Sequence, residues 1–180
     1  MANDRDQEQS IQPWQRQVFE VFKAGKIAHV SYVPDGGHRG LIALCRDAPE
    51  IGTTVLTTEE EGVGLVAGLW LGGQRSVLLM QSSGVGNCIN TFALIESCRI
   101  PLLLLVTMRG EFAEYIPFQI PMGKRTPDVL GVMGFDVYRA TTAEEVADVV
   151  SGALDQAFFA NRAVAVLLSQ RMIGRKNWTM

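Results

Sequence analysis

Apolar positions along this chain alternate between short continuous runs and a three-to-four-residue step. Trp14, Val18, Phe19, Val21 and Phe22 recur at helical spacing, so residues 10–24 are predicted to form a helix stopped by Gly25. Residues 27–33 form a short apolar run that ends in Pro34-Asp35-Gly36-Gly37, which reads as a strand followed by a loop. A brief helix is expected over 41–45 and a β-branched strand over 53–57. Residues 59–72 carry Gly64, Ala67, Gly68 and Leu71 at helical steps. A third strand over 76–80 and a helix over 87–97 follow. Residues 101–106, nearly all Leu and Val, predict a strand covered on both faces.

The stretch 107–125 has little periodicity and is expected to be a long functional or interfacial loop. Thr126-Pro127-Asp128 then reads as a helix start, with Thr126 as N-cap and Pro127 at the first helical position, ending at Gly134. A short strand over 135–138 is followed by a helix to about residue 161, opened by the capping-box spacing of Thr142 and Glu145. Residues 163–168 form a last strand. Strands separated by helices predict an α/β fold: one three-layer α/β/α domain with a mostly parallel sheet of about six strands, flavodoxin-like or Rossmann-like. The domain is expected over 14–170, between a loose N-terminal segment (1–13) and a basic, polar C-terminal tail (171–180).

Composition narrows the function. Hydrophobic residues make up 47% and charged residues 19%, a globular balance. A net charge of −3 and a pI near 5.4 leave no basic stripe for nucleic acid. Cys45, Cys88 and Cys98 form no CxxC pair and only His29 and His38 occur, so no metal site is expected on this chain. Free, mostly buried thiols and no signal-like or membrane-spanning run suggest a cytoplasmic setting.

Two segments stand out chemically. Glu59-Glu60-Glu61 lies between a strand and a Gly-rich helix, where parallel sheets bind ligands. Acidic residues there also pair favourably with the helix dipole without any ligand. Gly62 and Gly64 leave room for a flat group. Gln81-Ser82-Ser83-Gly84-Val85-Gly86-Asn87 leaves a strand and offers backbone N–H groups, either as a polar-ligand cradle or as a tight turn capped by Asn87. It matches neither a P-loop nor GxGxxG. Arg109, Lys124 and Arg125 are candidates to hold an anionic group, and the common alternative is a solvated charged loop. His29 reads as a core or interface residue, whereas His38, on the first loop, is a candidate proton donor.

Together, the Glu-Glu-Glu-Gly-x-Gly, Met-Gln-Ser-Ser-Gly-Val-Gly-Asn-Cys-Ile-Asn and Ile-Pro-Leu-Leu-Leu-Leu-Val-Thr-Met-Arg-Gly segments resemble the alpha subunit of sulfopyruvate decarboxylase and the matching half of phosphonopyruvate decarboxylase. The resemblance covers about residues 14–170. It implies the pyrimidine-binding domain of a thiamine-diphosphate-dependent decarboxylase of small 2-oxo acids. In that family one glutamate hydrogen-bonds the cofactor's aminopyrimidine; here Glu59 or Glu60 fills that role, with Glu59 favoured by the spacing to Ala67-Gly68. By the same carry-over, Ser83, Gly84 and Val85 line the pyrimidine pocket, and Gln81 and Asn87 shape it. Pro34, Asp35, Gly36 and His38 lie at the substrate mouth, and Arg109 faces a substrate anion. The family's Gly-Asp-Gly diphosphate motif is missing from this sequence. The resemblance therefore implies a beta subunit that carries the diphosphate-binding domain and holds most of the thiamine diphosphate and Mg2+, in a heterotetramer. A nucleotide- or metabolite-binding regulatory module is the second reading of the same segments.

Overall fold

A computed structural model describes residues 11–174 of the chain. The outer parts of both expected terminal segments, 1–10 and 175–180, lie outside the described residues. Among the described residues the elements run α1 (Pro13–Ala24), β1 (His29–Tyr32), α2 (Arg39–Asp47), β2 (Gly52–Val55), α3 (Glu59–Leu71), β3 (Ser76–Gln81), α4 (Ser82–Asn87), α5 (Phe92–Cys98), β4 (Leu102–Thr107), α6 (Gln119–Val132), β5 (Asp136–Ala140), α7 (Val146–Phe159), β6 (Ala163–Leu168) and α8 (Gln170–Ile173).

All strand pairs are parallel, in the order β2-β1-β3-β4-β6-β5. Strand side chains alternate between faces, so each strand feeds two cores. Val77, Leu79, Leu103 and Leu105 pack with α1, α2 and α7; Leu78, Met80, Leu104 and Val106 pack with α3, α5 and α6. Every residue of β4 is buried, because the strand has neighbours on both edges and helices on both faces. The expected three-layer α/β/α fold is thus observed.

The chain reverses direction across the sheet between β1 and β3. α2 lies on one face and α3 on the other, which leaves a crevice at the carboxyl ends of those two strands. No helix among the described residues is long and apolar enough to cross a membrane.

Four expectations about elements are corrected. The segment 107–125 is not all loop, since α6 begins at Gln119. Thr126 is therefore not an N-cap. It is buried inside α6, its hydroxyl donates to the Met122 carbonyl at 2.9 Å, and Pro127 sits within the helix. Gly123 explains the early start: a Cβ there would lie 1.8 Å from the Arg109 carbonyl, so only glycine lets α6 ride against the exit of β4. The 87–97 helix is two pieces, and Asn87 closes α4 where the sequence suggested a cap for the next helix. α7 starts at Val146, because the Glu145 carboxylate turns back to accept from Thr142 N at 3.0 Å and from the Thr141 hydroxyl at 2.8 Å. α8 straddles the expected end of the domain at residue 170, with Gln170 itself buried.

Candidate functional site

The three consecutive glutamates separate by direction. Successive residues of a helix point about 100° apart. Glu59, the first residue of α3, turns inward and is 8% exposed. Glu60 is exposed. Glu61 turns back, and its carboxylate accepts from the Thr57 backbone N–H at 2.8 Å, which holds the start of the helix. One oxygen of Glu59, Oε2, accepts from Asn87 Nδ2 at 2.9 Å. The other, Oε1, has no hydrogen bond among the described residues, and the carboxylate has no ion pair there. Gly84 makes room for it: an added Cβ would sit 2.5 Å from the Glu59 carboxyl carbon. The buried Cys88 thiol is pushed up to about 12, first by burial and then by the charges of Glu59 and Glu60.

Residues 82–87 are helical and not an open cradle; this helix is too short to act as an anion site through its N-terminus. What it supplies is side chains and closeness. Ser82 is buried and its hydroxyl accepts from the Arg109 backbone N–H at 3.1 Å. Val85 is buried against the α3 core, and Ser83 Oγ donates to Gln81 Oε1 at 3.1 Å.

From Gln81 the polar chain continues to the loop after β1. Gln81 Nε2 donates to Asp35 Oδ1 at 3.0 Å; the Thr107 hydroxyl and the Gly37 N–H donate to Oδ2 at 2.6 and 3.1 Å. Burial alone would raise the Asp35 pKa. The neighbouring His38 and these three donors outweigh it, so the carboxyl titrates below its ordinary range. Burial drives His38 below its usual pKa against the pull of Asp35. α1 steadies the loop from behind, as Gln15 Nε2 donates to the Gly37 carbonyl at 3.1 Å.

Two candidates fall elsewhere than expected. His38 has no exposed surface and therefore does not line a substrate mouth. It lies behind the Asp35 loop, with Nε2 donating to the Leu105 carbonyl at 3.1 Å and Nδ1 without a hydrogen-bond partner. Arg109 does not present its guanidinium to a ligand. Nε and Nη2 hold Glu114 at 2.6 and 2.7 Å, and the side chains are 8% and 3% exposed. Glu114 also accepts from Gly110 N, Ile116 N and Gln170 Nε2, and its pKa falls to about 2, chiefly through Arg109. The pair fixes the segment between β4 and α6. Gln170 completes it by accepting from Glu111 N and Phe112 N, each at 3.0 Å. Lys124 and Arg125 are exposed on α6, and Arg125 donates to the Pro121 carbonyl at 3.2 Å.

Sequence reasoning missed Thr107 and Gln170. Nothing marks a threonine at the end of a Leu/Val run as a ligand of Asp35. The signal lies in register, since Gln81 pairs with Thr107 in the sheet and both end beside the loop after β1. His29, as expected, is partly buried, its Nε2 2.9 Å from Thr54 Oγ1. A cavity of about 990 Å³ lined by Trp70, Glu96, Arg99 and Arg162 lies at the amino ends of the strands, away from the ligand end of a parallel sheet.

No model of a known protein family matches the chain. It is 34% identical over 151 residues to sulfopyruvate decarboxylase subunit alpha of Methanocaldococcus jannaschii, covering 83% of this chain and 89% of that one. A 32% match over 160 residues to the sulfopyruvate decarboxylase of Methanosarcina acetivorans covers 88% of this chain but 40% of that protein. Phosphonopyruvate decarboxylase of Streptomyces viridochromogenes matches at 38% over 77 residues, 42% of this chain and 19% of that one. Among solved structures, a 2-oxoglutarate:ferredoxin oxidoreductase from Magnetococcus marinus superposes with a TM-score of 0.67 at 12% identity, over 87% of this chain and 28% of that one, a likeness of fold.

Proposed function

The chain belongs to the family of sulfopyruvate decarboxylase alpha subunits, and on that footing we propose that it is the pyrimidine-binding half of a thiamine-diphosphate-dependent 2-oxo-acid decarboxylase acting on sulfopyruvate or phosphonopyruvate. The observation that carries this reading is the Glu59 carboxylate: buried, without an ion pair among the described residues, anchored on one oxygen by Asn87, with the other oxygen left to accept. An isolated buried carboxylate is costly unless a ligand completes its hydrogen bonding. The residues fit an aminopyrimidine. A ring N–H can donate to Glu59 Oε1, and the missing side chain at Gly84 is what lets the carboxylate sit this deep.

When bound, thiamine diphosphate supplies the electron sink for loss of CO2 from the 2-oxo acid. This chain's contribution is electrostatic and positional. Glu59 holds a proton at the pyrimidine nitrogen, a charge-assisted bond strengthened by burial. Asn87 keeps the carboxylate pointing one way. Half-buried Ser83 walls the pocket, and fully buried Val85 packs behind it. Pro34, Asp35 and Gly36 line the substrate mouth, with the Asp35 carboxyl held below its ordinary range, against burial, by His38 and by hydrogen bonds from Thr107 and Gln81.

Among the described residues, no cluster of His, Cys, Asp or Glu could hold a metal ion. The diphosphate and Mg2+ would be gripped by a beta subunit bearing the Gly-Asp-Gly motif that this sequence lacks, in a heterotetramer. That the Methanosarcina relative is more than twice the length matched here suits a fused version of the two halves.

The test is turnover of sulfopyruvate and phosphonopyruvate by this chain co-purified with its Gly-Asp-Gly-bearing partner. Glu59→Gln should lower kcat by roughly 10²–10⁴-fold, while Glu60→Gln stays within a few-fold of the parent. Full activity in both variants would sink the reading.

A further inference from the structure

With Arg109 committed to Glu114, the charge that receives the substrate's distal anion has to come from elsewhere. A cavity of about 280 Å³ opens at the carboxyl ends of β1 and β2, with Tyr32, Pro34, Asp35, Arg39, Arg46 and Val55 in its lining. Arg39 is the first residue of α2 and Arg46 lies in its last turn. Seven residues make nearly two helical turns, so both side chains leave the helix on one side, about 10 Å apart along its axis. Side chains as long as arginine can converge across that gap.

Neither guanidinium has an ion pair or hydrogen bond among the described residues. Arg109, Arg139 and Arg162, by contrast, each sit on a carboxylate. Asp47 and Glu50 are near in sequence, yet neither is paired with Arg39 or Arg46. The cavity is joined to the candidate site by Asp35, which lines it and whose carboxylate is bound by Gln81 and Thr107. Two guanidiniums against one carboxylate already engaged by three donors leave this space net positive.

We infer that Arg39 and Arg46 form the seat for the tetrahedral oxyanion, sulfonate or phosphonate, at the far end of the substrate. The inference rests on the decarboxylase reading above and names the residues that set its substrate class. The planar five-donor fork of arginine suits such a head group, and a methyl group in its place leaves the fork to solvent. Arg39 and Arg46 thereby select among 3-carbon 2-oxo acids, while Glu59, on the opposite face of the sheet, serves the cofactor.

The experiment uses the assembled complex with Arg39→Gln, Arg46→Gln, the double variant, and Arg16→Gln on the exposed side of α1 as a charge control. Two measurements are made: kcat and KM for sulfopyruvate, phosphonopyruvate and pyruvate, and calorimetric binding of the unreactive 3-sulfopropionate and 3-phosphonopropionate. Each single change should raise KM for the anion-headed acids about 10-fold or more, as expected for charged hydrogen bonds, with kcat and the pyruvate constants little altered. Binding of the two analogues should weaken in parallel, and Arg16→Gln should do nothing. Unchanged KM and analogue binding in the double variant overturn the inference and leave the decarboxylase reading standing. A parent complex inactive on all three acids, but binding the analogues through these arginines, upholds the anion seat and removes the decarboxylase reading. Analogue binding that the double variant does not weaken overturns the inference whatever the activity.

Discussion

At the scale of single residues, the site turns on which of three neighbouring acids faces inward. The sequence narrowed the choice to Glu59 and Glu60. Their difference of one step around the helix, together with the clearance at Gly84, separates them in space. That clearance is itself testable. Gly84→Ala places a methyl group 2.5 Å from the Glu59 carboxyl carbon, so the carboxylate has to swing away from Asn87. Turnover of the assembled enzyme should fall nearly as far as in Glu59→Gln. Stability, read from urea unfolding of the chain, should drop by about 1–3 kcal/mol, the usual cost of overpacking. Asp35 and Pro34–Gly36 were legible as a strand-end loop. Thr107, whose hydroxyl donates to Asp35, was not, because hydrogen bonds between residues 72 apart leave no local pattern.

At the scale of elements, the segment between β4 and α6 shows why pattern reading failed there. It has no period because it is held by charge: Arg109 and Glu114 at its heart, Gln170 from the far end of the chain, and Gly110 in a left-handed conformation at φ +79. Removing one partner of a buried pair strands the other. Arg109→Ala should therefore cost about 3–5 kcal/mol, measured as a lower urea midpoint. The pH dependence follows in sign. Glu114 titrates near 4.5 when unfolded and at about 2 when folded. Its contribution is complete above pH 4.5 and is lost as pH falls toward 2. A thermal-unfolding series over that window should be less steep in Glu114→Gln than in the parent. An equal slope would show that the pair does not govern acid stability.

For the molecule as a whole, the three-layer α/β/α architecture and a parallel sheet of about six strands could be anticipated, because alternating strand and helix runs leave few ways to build such a sheet; the strand order could not, since nothing local records which strands become neighbours. What surrounds the domain could not be. α3 keeps an outward strip of Gly64, Gly68 and Leu71, and Leu71 is 81% exposed. A Cβ at either glycine meets nothing within 4 Å. Gly64→Ala and Gly68→Ala should each stabilise the isolated chain by up to about 1 kcal/mol through helix propensity alone. The strip continues the exposed face of Glu60, and in the proposed heterotetramer it meets the beta subunit, so the same changes should weaken association with that subunit, read by analytical ultracentrifugation. Stabilised chains that assemble as before would exclude α3 from the contact.

The pairing of Gln81 with Thr107 across β3 and β4 has a consequence beyond geometry. Both residues reach Asp35 only in this alignment. Were the two strands to anneal two positions out of step, the leucine-rich interior would still fill, since either alignment buries apolar side chains on the same faces. Such an isomer would pass size-exclusion and circular-dichroism checks while its aspartate lost its paired grip. Inactive but well-behaved preparations of this protein would then be sorted by a cross-strand probe, such as a cysteine pair engineered at those two positions, sooner than by any measure of compactness.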